Sequence, residues 1–449
     1  MTGEAEKEGR FDLLLVDDEE PPGEPDGSCL VYRAARWLCE SPKLAVPLLS
    51  AYSKAAGHSV RTICFPLLPW REDEFRRLLS AAPKVVAVTT VAIFSPRYLA
   101  RLTGMVRKLS PASLIVLGGH GAQDSREVRA LGDVYISNHG EQALAELVSR
   151  VKAGLPPGKF PGAISRDGRV VIEGSYRYES FPKVLFPDWS AASTAAWRYP
   201  LEASRGCKFN CAYCGFPARA GQTYREVAGI IGEMTAVFRE QGIRRFEFMD
   251  SSLTADTEFM SRLCAALRST GIRFNWKCFA RPDAFDRAPG LADEMAAAGC
   301  TRIFMGIESV HDPILSLMRR GMDRACIERG LDRVFKAGIQ VHGNFIMGFP
   351  GETPATIKET ARFVAARHFK SAYMCVFMMS EAMRAMAAAE PERYFHLAGT
   401  PVRGWRHDGM DFAEAARLTR RAVWKINLSR LWFVAFSPPS NVPDPVSSR

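Results

Sequence analysis

Three cysteines, Cys207, Cys211 and Cys214, stand at C-x3-C-x2-C spacing directly after Tyr199–Ala203, a stretch that reads as a strand. Three thiolates on so short a loop can ligate three irons of a 4Fe-4S cubane and leave the fourth iron open. An open iron is chemically useful, because a chelating ligand can bind it. A structural zinc would want a fourth Cys or His at finger spacing, and none lies close by. The other eight cysteines show no ligand spacing and read as buried small hydrophobes. Of these, Cys278 and Cys375 fall on expected strands, where either can face a cavity.

The segment from Arg205-Gly206-Cys207 to Cys214, with Tyr213 before the last cysteine, resembles the signature of the radical S-adenosylmethionine (SAM) superfamily. The resemblance implies that SAM chelates the open iron through its amino and carboxylate groups. It also implies that one electron, from an external flavodoxin- or ferredoxin-type donor, cleaves SAM to methionine and a 5′-deoxyadenosyl radical. Tyr213 would then lie against the adenine. The likeness continues downstream. Phe246–Asp250 resembles the family's second-strand end, with Asp250 facing SAM, and Met305–Ser309 resembles the fourth, with Glu308 reaching the ribose or carboxylate. Gly343–Thr353 resembles the fifth-strand motif along the adenine, implying contacts from Gly343, Asn344 and Ile346. Its glycines permit close backbone approach. Arg281 ends another expected strand, where it can grip SAM's carboxylate bidentately.

These residues need a scaffold that gathers them. Candidate strands 199–203, 245–249, 273–279, 302–306, 340–347 and 371–378 alternate with helical patterns at 227–241, 257–270, 324–337 and 354–367. Six such units make a partial (β/α)6 TIM-type barrel, with its site at the strand carboxyl ends. Residues 11–17, 60–65, 85–90, 114–117 and 134–137 form an earlier strand series, with helices expected at 45–57 and 142–153. That is an α/β pattern with a Rossmann-like parallel sheet, whose ligands bind at the carboxyl edge. The expected organisation is therefore 1–155 Rossmann-like, 156–198 a Pro/Gly-rich linker, 199–380 the barrel, and 381–449 a helical segment ending in disordered tail.

The stretches Ser41–His58, Leu117–His120 and Gly132–Glu141 resemble the cobalamin (B12)-binding domain that precedes many radical SAM barrels. This implies Gly118 and Gly119, with Thr89 and Thr90, near the cobalamin nucleotide tail. There is no D-x-H-x-x-G stretch to supply a cobalt-ligating histidine. The polar loop Glu19–Ser28 would instead lie near the lower face.

Composition bounds the function. The chain has 449 residues, 47% hydrophobic and 24% charged, with a formal charge of +10. No uncharged apolar run reaches the ~18 residues of a membrane helix. The N-terminus carries no signal-peptide core, so a cytoplasmic location is expected. The basic residues are spread along the chain without aromatic interleaving, so nucleic acid is not an expected partner. The leading expectation is a cobalamin-dependent radical SAM C-methyltransferase acting on a natural-product-type small molecule. A cobalamin-free radical SAM dehydratase, deoxygenase or epimerase on a sugar or aminocyclitol is the alternative, and RNA modification is the third reading. The alternative needs a general base, for which Glu247, Asp250, His342 and Tyr373 are the strand-end candidates. Trp405, His407 and Asp408 are candidates for a C-terminal cover over the cavity.

Overall fold

The run Leu13-Leu14-Leu15-Val16 is apolar on both alternating faces, and all four side chains are fully buried. A strand apolar on both sides belongs in the middle of a parallel sheet covered by helices on each face. In the computed structural model, which describes residues 9–19, 44–64, 66–67, 71–92, 96–119, 126–174, 185–188, 198–214, 221–400, 404–430 and 434–437, this run forms β1 (Leu13–Glu19). It pairs in parallel with β2 (Val60–Cys64) on one side and β3 (Val85–Ala92) on the other. Beyond β3 come β4 (Leu114–Gly118) and β5 (Val134–Ser137), giving the order 2-1-3-4-5. Helices Ala45–Ala55 and Glu141–Lys152 pack on one face. Helices Glu72–Ser80 and Pro96–Leu109 pack on the other. The switch point of this order lies between β1 and β3, where such sheets open a crevice.

The expected linker is partly sheet. β6 (Ile164–Arg166) and β7 (Arg169–Glu173) form a hairpin, and β7 joins β5 in parallel. The turn residues Asp167 and Gly168 both have positive φ, 54° and 73°, as a tight two-residue hairpin requires. The chain divides into two compact units, which part between residues 196 and 197.

In the second unit, β8 (Tyr199–Leu201) leads into the antiparallel hairpin β9 (Ser204–Cys207) and β10 (Gly221–Tyr224). The main sheet then adds β11 (Arg245–Phe248), β12 (Asn275–Ala280), β13 (Cys300–Glu308), β14 (Gln340–Met347) and β15 (Ser371–Val376). Every neighbouring pair is parallel, in the order 8-11-12-13-14-15. The six expected strands gain a seventh. Between β15 and the next barrel strand lie three short antiparallel strands, β16 (Ala398–Gly399), β17 (Trp405–His407) and β18 (Met410–Asp411), and the helix Phe412–Arg430. β19 (Val434–Ser437) then pairs with β15, in a region expected to be disordered tail. The sheet is an open arc with β8 and β19 at its edges.

Side-chain polarity alternates across this arc. On β14, Val341, Gly343, Phe345 and Met347 are buried beneath the helices, while His342, Asn344 and Ile346 are partly exposed on the inner face. Helices begin where strands end, and side chains stop them from fraying: Asp256, Asp323, Thr353 and Ser380 each accept a backbone N–H of the first turn.

Candidate cluster and cofactor site

The cysteine loop leaves the sheet through a hairpin that glycine makes possible. Gly206 has φ +84°, and a Cβ there would stand 2.1 Å from the carbonyl oxygen of Gly221. Just before it, Asp250 accepts from the Ala203 N–H at 3.1 Å and from the Ser204 hydroxyl. Asp250 is almost wholly buried, and that burial pushes its carboxyl up to about 7. It braces the chain where it turns into the cysteine loop, a different orientation from the SAM-facing one expected of it. Further along, the Ala212 N–H donates to Met318 O at 3.0 Å, and the Cys214 N–H donates to Cys211 O at 3.2 Å. Cys207 and Cys211 are partly buried, and Cys214 is exposed. Among the described residues no three Cys, His, Asp or Glu side chains stand at metal-ligating separation, so the thiols share one short loop without converging on a point.

Two buried arginines face that loop. Arg320 directs Nη1 at Cys211 Sγ (3.5 Å) and at the Tyr213 hydroxyl (3.0 Å), and Nη2 at Gly306 O. Arg281 directs Nη1 at Cys211 Sγ (3.7 Å), Nε at Asp283 (2.9 Å) and Nη2 at Arg320 O. The Phe209 ring lies 3.6 Å from the Arg281 guanidinium carbon. With all three nitrogens engaged, Arg281 is not placed for the bidentate grip on SAM expected of it. It orders Arg320 and the loop. Burial pushes the Cys207 thiol up, and the two guanidinium groups act against that shift.

Glu308 is the third charged group. It ends β13 with φ +68°, a conformation unusual for a side-chain-bearing residue, at an irregularity in the β13–β14 register between Gly306 and Glu308. Such local strain re-aims a side chain and is concentrated at functional sites. The Glu308 carboxylate folds back over Gly306, where a Cβ would stand 2.7 Å from its Oε1. Burial raises its carboxyl, while Arg320 and the Tyr213 hydroxyl lower it. Tyr213 also meets the Phe349 ring edge-on at 6.5 Å.

The remaining expected residues separate by face. Asn344, Ile346 and Tyr373 lie on the inner face. Gly343 lies on the helix side, where a Cβ would stand 2.9 Å from Phe345 and Phe369, so its smallness serves aromatic packing and not approach to SAM. Glu247 pairs with Lys277 at 2.7 Å, deep in the arc. His342 is on the inner face, bonded through Nδ1 to the Ser371 hydroxyl. Burial foremost, then Arg302, Lys277 and Lys370, push its imidazole down to about 4. Cys278 is buried on the helix side and Cys375 is on the inner face. Trp405 and His407 stack 5.5 Å apart on β17, donating to Phe377 O and contacting Gly348 O respectively. Asp408 pairs with His396 at 3.0 Å. Arg320 was missed in the sequence. Its only signal is the pair Arg319-Arg320 after the short helix Asp312–Leu317.

At the carboxyl edge of the first sheet, Thr89 donates to Asp17 at 3.1 Å and Thr90 to Gly118 O at 2.9 Å. Gly119 has φ +105°, which only glycine adopts readily. A Cβ on Gly118 would make only ordinary contact, 3.5 Å from Ile136 O. Residues 20–28, expected near a cobalamin face, and His120 lie outside the described residues.

An open parallel barrel whose strand ends face a three-cysteine loop defines a class. Residues 201–364 match the family model described as the radical SAM superfamily, so that stretch of the chain carries a radical SAM domain. It is 29% identical over 297 residues to an uncharacterized methyltransferase of Pyrococcus horikoshii, covering 63% of this chain and 64% of that one. It is also 29% identical over 189 residues to the bacteriochlorophyllide d C-12(1)-methyltransferase of Chlorobaculum tepidum, covering 40% of this chain and 41% of that one. The chain thus spans less than two thirds of either relative. Its fold is similar to the radical SAM methyltransferase TsrM of Kitasatospora setae, solved with cobalamin and a 4Fe-4S cluster bound (TM-score 0.65, 18% identity, 84% of this chain and 78% of that one). Domains of this superfamily work with a 4Fe-4S cluster and SAM. The donor set fits both: three thiols on one loop, two arginines aimed at Cys211, and a buried Arg320 Nε without a partner of its own. No helix among the described residues is long and apolar enough to cross a membrane.

Proposed function

We propose that this chain is a cobalamin-dependent radical SAM methyltransferase that places a methyl group on a carbon of a small molecule. The observation that carries the reading is the 2-1-3-4-5 sheet, with Gly119 turning at its carboxyl edge, set immediately before a radical SAM domain. When bound, a cluster with SAM supplies a 5′-deoxyadenosyl radical, and cobalamin supplies a transferable methyl group. Cys207, Cys211 and Cys214 would hold the cluster. Arg281 and Arg320 offset the thiolate charge at Cys211, and Asp250 fixes the chain leading to it. Glu308, Tyr213, Asn344 and Ile346 would line SAM, with Glu308 and Tyr213 held in place by Arg320. Thr89, Thr90, Gly118 and Gly119 would border the cobalamin tail. A small acidic one-electron carrier of flavodoxin or ferredoxin type would reduce the cluster.

The second reading is a cobalamin-free dehydratase, deoxygenase or epimerase. It is favoured by one observation: the Thr89 and Thr90 hydroxyls already donate inward, to Asp17 and Gly118. The experiment that separates the readings is anaerobic reconstitution with hydroxocobalamin, followed by reduction to Co(II). The methyltransferase reading expects retained cobalt whose electron paramagnetic resonance spectrum lacks nitrogen superhyperfine splitting. It also expects methyl label from SAM to appear in the product. A protein that makes 5′-deoxyadenosine and turns over substrate with no bound cobalt belongs to the second reading.

A further inference from the structure

The helix Phe412–Arg430 has two faces of different character. Ala415, Thr419, Val423 and Ile426 are buried on the barrel side. Arg417, Arg420, Arg421, Trp424 and Lys425 are exposed on the other side, because residues three, four and seven apart share one face. Glu414 is the only acid in this helix, and it pairs with Arg417 at 3.5 Å. Bases in a last helical turn offset the helix dipole, but that effect does not reach the middle turns, where Arg417, Arg420 and Arg421 stand. Trp424 is 64% exposed, more than any other large apolar side chain among the described residues. The neighbouring helix Pro354–Ala366 adds exposed Lys358 and Arg362, while its one acid, Glu359, turns to Arg324 at 2.6 Å. Two helices thus present a basic surface with an indole standing in it. Arginine and tryptophan anchor protein interfaces, and a field of one sign steers a partner of the other.

The same helix begins a column of rings that ends at the cysteine loop. Phe412, in its first turn, meets Trp405 edge-on at 5.9 Å. Phe377 follows Trp405 at 5.6 Å, then Phe349 at 5.0 Å and Tyr213 at 6.5 Å. Trp405, Phe377 and Phe349 are fully buried, so solvent does not interrupt the column. Tyr213 precedes Cys214 in the chain and shares Arg320 with Cys211. Close-packed side chains without a solvent gap give an electron a continuous medium to cross.

We propose that the Arg417–Lys425 face is the docking surface of an acidic one-electron carrier of flavodoxin or ferredoxin type, and that its electron crosses the Phe412–Tyr213 column. One electron leaves the carrier's reduced centre and enters the oxidised cluster. No bond or proton changes hands, and the rings are a medium that is not itself reduced. The inference rests on the proposed cluster chemistry and gives the carrier which that chemistry requires a place on the chain. The competing entry is the cysteine loop itself, where Lys208 and Cys214 are exposed.

The test uses the anaerobically reconstituted full chain and a purified bacterial flavodoxin. Carbodiimide joins lysine ammonium groups directly to carboxylates that touch them, and peptide mapping should find Lys425 and Lys358 coupled to flavodoxin acids. Replacing Arg417, Arg421 and Lys425 together by Gln should weaken flavodoxin binding roughly tenfold or more. Bleaching of the cluster absorbance by sub-saturating reduced flavodoxin should slow in proportion. Dithionite, a small reductant that needs no docking surface, should bleach the same variant at the wild-type rate, which also reports folding. Trp424→Ala should weaken flavodoxin binding several-fold. Phe412→Ser, which opens the outer end of the column, should leave affinity unchanged and slow bleaching at saturating flavodoxin several-fold. Couplings confined to Lys208, undiminished binding by the triple variant, or an unchanged rate in Phe412→Ser would overturn the proposal. So would tighter binding of a single-stranded oligouridine than of flavodoxin, lost in the same triple variant, which would assign the face to nucleic acid. If dithionite drives no SAM cleavage in the wild type, the cluster chemistry fails on its own, and the coupling map still decides the docking face.

Discussion

At the strand ends of the barrel, charged side chains hold one another: Arg320 joins Tyr213, Cys211 and the Gly306 carbonyl, and Arg281 in turn holds the Arg320 backbone. At the carboxyl edge of the N-terminal sheet the side chains turn inward, Thr89 to Asp17 and Thr90 to Gly118 O, and the distinctive feature is a backbone turn at Gly119. On the proposed function, the difference would suit two kinds of ligand contact. A site that must place a reactive metal cluster and a charged cofactor with small tolerance needs preorganised charges. A sheet edge that borders the tail of a large cofactor needs open backbone and few fixed charges. The first kind should fail abruptly when one member is removed, and the second should fail only when its backbone is bent.

The largest effect is expected at the cysteines. Replacing Cys207, Cys211 and Cys214 together by Ala should abolish the visible iron–sulfur absorbance and all SAM cleavage, because the thiolates hold the cluster. Single Cys264→Ala and Cys300→Ala proteins should keep both, since these thiols are buried away from the loop. A full cluster complement in the triple variant would remove the basis of the barrel side of the comparison.

Next comes Arg320→Met. Removing one partner from a buried charged network costs about 3–5 kcal/mol, mostly because the charge left behind is uncompensated. Here Glu308 would lose its nearest cation, and Tyr213 its donor. Denaturant unfolding should show a loss of that order, and SAM titration at least a tenfold weaker affinity. Arg281→Met should weaken SAM less, because Arg281 acts through the position of Arg320. If Arg320→Met binds SAM as tightly as wild type, the arginine is a packing element and the contrast between the two edges loses its main support.

How much of this was readable beforehand depends on whether a residue's role follows from its spacing or from its orientation. The strand Gln340–Met347 and the helix Val227–Gln241 have the ends the sequence predicts, because alternation, helical period and a following Gly242 with φ +70° mark them locally. The hairpin at 164–173 was also marked, by an Asp-Gly pair followed by the β-branched run Val170-Val171-Ile172, but the prolines around it suggested a linker. β19 is four residues, followed in the sequence by a Ser/Pro-rich stretch, and only its pairing with β15 makes it a strand. Orientation was not readable. A strand-end carboxylate, Asp250, could face inward or brace its neighbour. A strand-end arginine, Arg281, could bind a ligand or another arginine's backbone. Those outcomes are set by contacts 46 or 39 residues away in the chain.

A smaller effect separates two adjacent glycines. Gly119→Ala places a Cβ on a residue at φ +105° and should cost about 1–3 kcal/mol of stability in the N-terminal unit. Gly118→Ala meets only the Ile136 carbonyl at ordinary distance and should be close to neutral in stability. Proteolysis or urea unfolding of the two variants checks this directly. If cobalamin binds at this edge, Gly119→Ala should also lower its retention more than Gly118→Ala does. Equal behaviour of the two variants would mean that the backbone turn does not shape the edge.

The last effect is a pH dependence confined to the barrel. Glu352 is fully buried, accepts the Gly348 N–H through Oε2, and has no partner for Oε1. Burial pushes its carboxyl up to about 8 from an ordinary 4.5, against the opposing pull of the Gly348 and Phe349 backbone N–H groups. Between those two values the folded chain keeps a proton that the unfolded chain has released. Stability linked to this group is therefore complete below about pH 4.5 and is lost as pH rises through about 8. Thermal melting followed from pH 6 to pH 9 should show the wild type declining, and Glu352→Gln, which keeps an acceptor for Gly348 and has no proton to lose, declining less. The two curves should approach each other at the acidic end. Because Glu352 packs where Gly409 approaches its carbonyl and His407 contacts Gly348 O, the same titration should loosen the C-terminal turn against the end of β14. Hydrogen exchange at 404–411 should accelerate at pH 9 in the wild type more than in the variant, beyond the intrinsic rate change. Parallel melting curves would assign the proton to another buried carboxyl, with Asp250 the next to replace.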